Sequence, residues 1–362
     1  MPERADDTHN PASPHHGLTE RPSRRGILLA GGLLLGAATA GLPLLSRSAF
    51  AAGKLVALVH TQAAGDNGPI DDMIAHLKAL GKQDHFPIRT IYASDPSTYQ
   101  SILSTLAGAG AAVIVTTFNE MADPIKAVAP TYPNTKFIQL YADPFNPVIP
   151  NVRTVEYQAH YGMFLAGLFG ARISQSHKLG YIGGMSLPGL NADLNAMKAG
   201  AASVSHTATV KGAFAGSFQD PTKGREIANQ LFSTGIDFIQ TDGAATDAGV
   251  IRAAGEGSNR IVSAVFRTQF KLGPKTVASS VLVNFGQSLS DQVSAAVSGK
   301  FQAGHYVSTL ADGIIDFVPS DLFMQNGPPA YVASARAAWP SVDAAKKAII
   351  AGTLKVPFNT QL

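Results

Sequence analysis

The feature that most constrains this chain is a repeated pairing of a short apolar run with a segment of helical period. Residues 54–60 form a continuous apolar run of strand length, followed by the turn-rich Gly65-Asp66-Asn67-Gly68-Pro69 and then by Ile74, Leu77 and Leu80 at helical spacing. The unit recurs. Residues 86–92 precede a helical face of Tyr99, Ile102, Leu103 and Leu106, residues 111–117 precede one of Met121, Ile125 and Val128, and 136–141 closes the first series. Runs that are apolar throughout, rather than alternating, suit strands buried on both faces, so the pattern predicts an α/β fold with a parallel sheet between layers of helices. A second series predicts a helix over 157–173, strands at 179–183, 209–214, 238–241 and 261–266, and helices over 190–205, 221–233 and 245–254. A strand at 277–283, a helix over 287–298, two short strands and a helical tail over 331–350 follow. Two series of similar size without a long linker predict two lobes. The expected division is 52–155 with about 278–310 in the N-terminal lobe, and 156–277 with about 311–362 in the C-terminal lobe.

The first 51 residues read differently. A polar, proline-bearing start leads to Arg24-Arg25, then to an uncharged stretch over 26–45, and then to Ala49 and Ala51. Positive flank, apolar centre and small residues near a cleavage point are the parts of an export signal. The paired arginines resemble the twin-arginine variant. A retained membrane anchor is the alternative, since 26–45 is long enough to span a bilayer. Glycines at 31, 32, 36 and 41 and the interrupting Pro43 weigh against it. The expectation is a twin-arginine signal over 1–51 and a mature periplasmic protein that is not embedded in the membrane.

Composition removes several function classes. The chain has no cysteine, which excludes disulfide scaffolds, thiolate nucleophiles, zinc–thiolate sites and cysteine-linked lipid anchors. The net charge is only +3, and the export segment carries five arginines against four acids, so the remainder is nearly neutral. With no basic stripe to follow a phosphate backbone, no nucleic-acid partner is expected.

In open parallel sheets, ligands sit beyond the carboxyl ends of the strands. That places the candidate site at 60–66, 116–119, 141–143, 184–185, 214–218, 241–244 and 266–269, a set rich in aromatics and neutral donors. Enzyme motifs are missing: there is no HExxH, no phosphate-binding glycine loop and no GxGxxG opening a helix. Gly184-Met185-Ser186-Leu187-Pro188-Gly189 falls one residue out of register for a nucleophile elbow. His60 reads as a wall residue rather than a base. Asp71 and Asp72 diverge on a helix and suit its positive N-terminus. No catalytic residue, metal or cofactor is expected.

Four segments carry a family resemblance: HYGMFLAG at 160–167, LGYIGGM at 179–185, AGSFQDPTKG at 215–224 and IIAGTLKVP at 349–357. In this order they resemble the basic membrane protein family, substrate-binding components of ABC importers with the type I periplasmic binding protein fold. The resemblance implies two Rossmann-like lobes with parallel sheets around a ligand cleft, a permease as partner, a monomeric receptor and a purine-like ligand. Relatives are commonly lipid-anchored through a cysteine, so this chain is expected to diffuse freely. Phe218 corresponds to an aromatic that stacks on the base, and Asp66 to the first of two paired acids. Nucleoside-binding members place an Asp after the strand near residue 265 and a Lys after the next, where this chain has Phe266 and Val283. Losing two charged partners at about 1.5–3 kcal/mol each weakens ribose binding by roughly two to four decades. The expected ligand is therefore a free purine base or similar flat heterocycle. Phe118, Phe218 and Phe266 would stack on it, Asp66, Asn119, Thr241 and Asp242 would read its edge, and Tyr141, Met185 and Gly243 would complete the lining. A nucleoside receptor of the same family and an exported nucleoside-processing enzyme remain as alternatives.

Overall fold

The computed structural model describes residues 55–65 and 68–362. The expected export segment over 1–51 and the candidate ligand Asp66 lie outside the described residues. Within them the strands sort into two six-stranded sheets. The first contains β1 (Val56–His60), β2 (Ile88–Tyr92), β3 (Val113–Thr117), β4 (Lys136–Leu140), β5 (Val152–Tyr157) and β11 (Gly304–Ser308), in the order β2-β1-β3-β4-β5-β11, all parallel. The second contains β6 (Lys178–Gly183), β7 (Thr209–Phe214), β8 (Phe238–Asp242), β9 (Ile261–Ala264), β10 (Val277–Val283) and β12 (Ile315–Pro319), in the order β7-β6-β8-β9-β10-β12. Only its last pair, β10 with β12, is antiparallel. Every residue of the inner strands β1, β3 and β9 is buried, as their unbroken apolar runs require, while the edge strand β7 is buried at none.

Helices α1 (Pro69–Gln83), α2 (Tyr99–Gly108), α3 (Ala122–Val128) and α8 (Phe285–Val297) cover the first sheet. Around the second lie α4 (His160–Ile173), α5 (Pro188–Ala202), α6 (Pro221–Ser233), α7 (Asp247–Gly255), α9 (Asp321–Asn326) and α10 (Pro329–Ile350). Four of them, α1, α5, α6 and α10, open on a proline in the first turn, where the missing N–H has no partner to lose. Helix α4 is buried around nearly its whole circumference, between α5, α10 and the second sheet. Its run HYGMFLAGLFGARI, apolar on all sides, is what such a position demands. Among the described residues no helix is long and apolar enough to cross a membrane.

Two details depart from the sequence expectation. A helix was expected from residue 157, but β5 occupies 152–157 and α4 starts at His160. The lobe division also shifts. Residues 278–283, expected with the first lobe, lie in β10, which pairs with β9 and β12 in the second sheet. The return to the first lobe comes one step later, at α8, because α8 packs on α1 while β10 buries its side chains against α4 and α9. The chain thus passes between sheets three times, after β5, after β10 and after β11. These crossings are tied together: Gln158 N–H donates to Ser308 O (3.0 Å), and Asn284 donates to Ile314 O (2.8 Å) from its backbone and to Gly313 O (2.9 Å) from its side chain.

Candidate functional site

The carboxyl ends of both sheets carry the candidate residues, and the AGSFQDPTKG segment shows how they are held. Gly216 has φ +78°, a left-handed conformation that glycine adopts without strain. Asp220 then caps α6, accepting from Lys223 N–H at 2.9 Å, and Pro221 occupies the first turn. Thr246, from the turn after β8, donates its hydroxyl to Ser217 O (2.9 Å), accepts from Asp220 N–H (3.0 Å) and donates its own N–H to Phe218 O (3.3 Å). The backbone on both sides of Phe218 is therefore fixed. Its ring lies against Gly184, where an added Cβ would sit 2.3 Å from the ring. Gly184 N–H in turn donates to Asp242 O at 2.9 Å, so the loops after β6, β7 and β8 form one interlocked rim.

The first lobe presents an aromatic cluster. Tyr141 follows β4 and meets Phe118 edge-on (5.8 Å between ring centres), stacks on Tyr157 (6.0 Å) and leans on Phe285 (6.2 Å). Tyr157 is anchored beneath it by a hydroxyl bond to Ser288 Oγ at 2.9 Å. Phe118 and Tyr141 both hold positive φ, +59° and +57°, as does Ala244 (+53°) in the turn after β8. Non-glycine residues at such angles cost about 1–3 kcal/mol each and concentrate where a side chain must be aimed. Phe118 is pinned in this state: its N–H donates to Leu140 O (2.8 Å) and its carbonyl accepts from Gln139 Nε2 (2.7 Å). Asn119 instead pairs with the neighbouring loop, donating to Asp143 Oδ2 (3.1 Å) and accepting from Asp143 N–H (3.2 Å). His60 is buried and stacks on Tyr92 at 5.6 Å.

A carboxyl pair closes the other side. Asp193, in α5, is 4% exposed and faces the carboxyl of Asp242 at the end of β8, which stays partly open to solvent. Tyr181 donates its hydroxyl to Asp242 Oδ2 at 2.6 Å. Tyr141 reaches this region from the first lobe: a Cβ on Gly189, in the first turn of α5, would lie 3.1 Å from its hydroxyl. Burial raises the Tyr141 hydroxyl well above its ordinary range, and the charges of Asp193 and Asp242 raise it further. Burial likewise pushes Asp242 up to about 6 and, reinforced by Asp242, lifts Asp193 well above the carboxylate range. Asp247, which accepts from Gly243 N–H (2.8 Å) and Gln269 Nε2 (3.2 Å), is pushed by burial up to about 8.

These shifts set the sign of a pH dependence. All three carboxyls titrate higher when folded than in an open chain, so the folded state binds the extra protons. Their contribution to stability is fully present below the ordinary value of 3.8 and is lost as pH rises through about 6 for Asp242 and about 8 for Asp247. Asp193→Asn removes the like charge facing Asp242. The ligand-free variant is expected to gain stability relative to the parent, and the gain is expected to grow between about pH 5 and about pH 8. Urea unfolding at several pH values measures it, and a gain that shrinks with pH contradicts the account.

The structure thus brings Phe118, Tyr141, Phe218, Asp242 and Gly243 to the facing strand ends. Phe266 is half-buried against the core just past β9, and Met185 is 41% exposed beside Gly184. Thr241 does not join them. It is fully buried within the sheet, with its hydroxyl directed at Ser263 O (3.4 Å), so it cannot read a ligand edge. Asp193 and Tyr181 lie against Asp242, a placement that the sequence pattern did not suggest. A signal for Asp193 exists, since Leu190, Asp193, Met197 and Gly200 follow helical spacing on the buried face of α5 and put an acid on an apolar stripe. Among the described residues no group of three or more His, Asp or Glu could hold a metal ion.

With this geometry in view, comparison with known proteins is informative. The family model described as "ABC transporter substrate-binding protein PnrA-like" matches residues 55–332. The chain belongs to this family. Among its relatives, basic membrane protein A2 of Borrelia garinii subsp. bavariensis is 28% identical over 263 residues, 70% of this chain and 77% of that one. A purine-binding protein of Brucella abortus is 28% identical over 226 residues, 60% of each chain. A solved solute-binding protein from Aeropyrum pernix K1 superposes with a TM-score of 0.73 at 18% identity, covering 84% of this chain and 93% of its own, which speaks to the fold alone. The fold is that of the type I periplasmic binding proteins. The PnrA-like proteins are the substrate-binding parts of ABC transporters, periplasmic or exported, and are not enzymes.

Proposed function

We propose that this PnrA-like protein is exported through a twin-arginine signal as a freely diffusing monomer and captures a free purine base or similar flat heterocycle between its lobes for delivery to a permease. Phe218 carries the reading. Its half-buried ring packs against Gly184 at the strand ends, and the backbone that carries it is held by Thr246, which makes it a ready platform for a planar ligand. Phe118 and Tyr141 supply aromatic faces from the opposite lobe. Phe266 and Val283, half-buried against the core at the ends of β9 and β10, favour a base over a nucleoside, because neither can hold ribose hydroxyls. The purine-binding protein of Brucella abortus supports the purine class. Capture would proceed by closure about the three crossings.

A thermal-shift panel of free bases and nucleosides tests the proposal. A ligand at about a hundred times its Kd stabilises by about 2.7 kcal/mol, or roughly 4 °C for a chain of this size. Free purine bases are expected to produce such a shift and their nucleosides a much smaller one. A shift with adenosine or guanosine and none with free bases would overturn the nucleobase assignment.

A further inference from the structure

The carboxyl pair between α5 and β8 has no partner of opposite charge. Among the described residues neither Asp193 nor Asp242 takes part in an ion pair. The titratable groups that act on them or share their surroundings are Tyr181 from β6, Tyr141 from the first lobe and Asp247 from α7, all of them acids. Two carboxyls facing each other in a buried site are costly unless something donates to them. Yet the pair is well built. Tyr181 holds Oδ2 of Asp242, and Gly184 N–H holds the Asp242 carbonyl, which fixes how the carboxyl is presented. Asp193 is buried beside it on α5, and Asp242 remains partly exposed at the end of β8. Phe218 lies against Gly184, whose N–H donates to the Asp242 carbonyl, so the aromatic platform and the carboxyl pair share one rim.

We propose that Asp193 and Asp242 form the polar anchor of the ligand site and select a flat heterocycle whose edge carries two adjacent N–H donors, the amidine-type edge of a 2-amino-6-oxopurine. This rests on the reading of the cleft as a nucleobase site and specifies which base chemistry fits. A carboxylate accepts along two parallel directions, matching a ring N–H beside an exocyclic amino group. The same pair would face the carbonyl of a 2-oxo ring with like-signed lone pairs, and it would leave one acceptor idle against a ring without the 2-amino group. Tyr141, closing from the first lobe, then seals the edge from water.

The test is calorimetric titration of the purified chain, and of Asp193→Asn and Asp242→Asn, with guanine, hypoxanthine and xanthine. The parent is expected to bind guanine at least about tenfold more tightly than hypoxanthine or xanthine, one charge-assisted hydrogen bond being worth about that factor or more. In both variants the guanine-to-hypoxanthine ratio is expected to fall to about one. Their ligand-free melting temperatures, expected at or above the parent's, show that the variants are folded. Equal affinity of the parent for guanine and hypoxanthine, or a ratio untouched by both substitutions, overturns the anchor while leaving the nucleobase site standing. Failure of every purine base to bind the parent overturns both.

Discussion

Replacing Gly200 with alanine is expected to destabilise the protein by about 3 kcal/mol or more, lowering its melting temperature by roughly 5 °C or more. Helices α4 and α5 cross with their backbones in contact. A Cβ at Gly200 would sit 1.9 Å from Phe164 O, and one at Gly167, on the facing helix, would sit 2.0 Å from Met197 O. Neither obstacle is a side chain that could turn away, so the helices must separate, and α4 is held on its other sides by α10 and the second sheet. The binding site would suffer with the fold, because Asp193 lies two turns upstream on the same helix. Gly255 is the control: it ends α7, and a Cβ there meets nothing within 4 Å. Gly255→Ala is expected to be neutral or slightly stabilising through the unfolded chain. Calorimetry of both variants decides the matter, and a Gly200→Ala protein within about 1 kcal/mol of the parent contradicts the account.

Asp237→Ala is expected to be comparably damaging, at about 3–5 kcal/mol. This carboxylate, 7% exposed at the start of β8, accepts from Ser174 Oγ (2.5 Å), Ser176 Oγ (2.9 Å), the backbone N–H groups of Gln175 (2.7 Å) and Ser176 (3.1 Å), and Tyr331 Oη (3.0 Å). It therefore fastens the loop between α4 and β6, the beginning of β8 and the first turn of α10 at one point. Removal strands several buried donors at once, which costs more than any one lost bond. The effect lies at the amino ends of the second sheet's strands, away from the ligand loops. Ligand affinity at a temperature where the variant is folded is therefore expected to stay within about threefold of the parent. Denaturant unfolding combined with titration separates the two effects.

The layered α/β order was legible because parallel strands buried on both faces leave continuous apolar runs, as at 56–60 and 113–117. Strand β5 escaped notice for the opposite reason. Its sequence VRTVEY is neither continuously apolar nor alternating, and its charged residues find partners only far along the chain: Arg153 in Gln292 Oε1 (2.8 Å) and Glu156 in His305 Nε2 (3.0 Å). Sheet membership of β10 was not readable either, since a buried strand of seven residues fits a parallel neighbour in either lobe and only its packing on α4 and α9 decides. The placement of Phe218 and Asp242 at or just past strand ends was legible from motif and strand pattern. Thr241 was misplaced because adjacent strand residues point to opposite faces, and the outward one is Asp242. Asn119 lies just past β3, but its amide is taken up by Asp143, which comes from a loop 24 residues away. Asp193 belongs to no motif, and only the folded chain shows it against Asp242.

The central claim is that a sugar-free flat heterocycle is the cargo. The measurement that tests it most directly is mass spectrometry of small molecules released by denaturing protein purified without added ligand. The account predicts a purine base carrying an amino group beside a ring N–H, present in near-stoichiometric amount and absent from the Asp242→Asn protein. Recovery of a nucleoside with its ribose intact, or of a sugar, would contradict it.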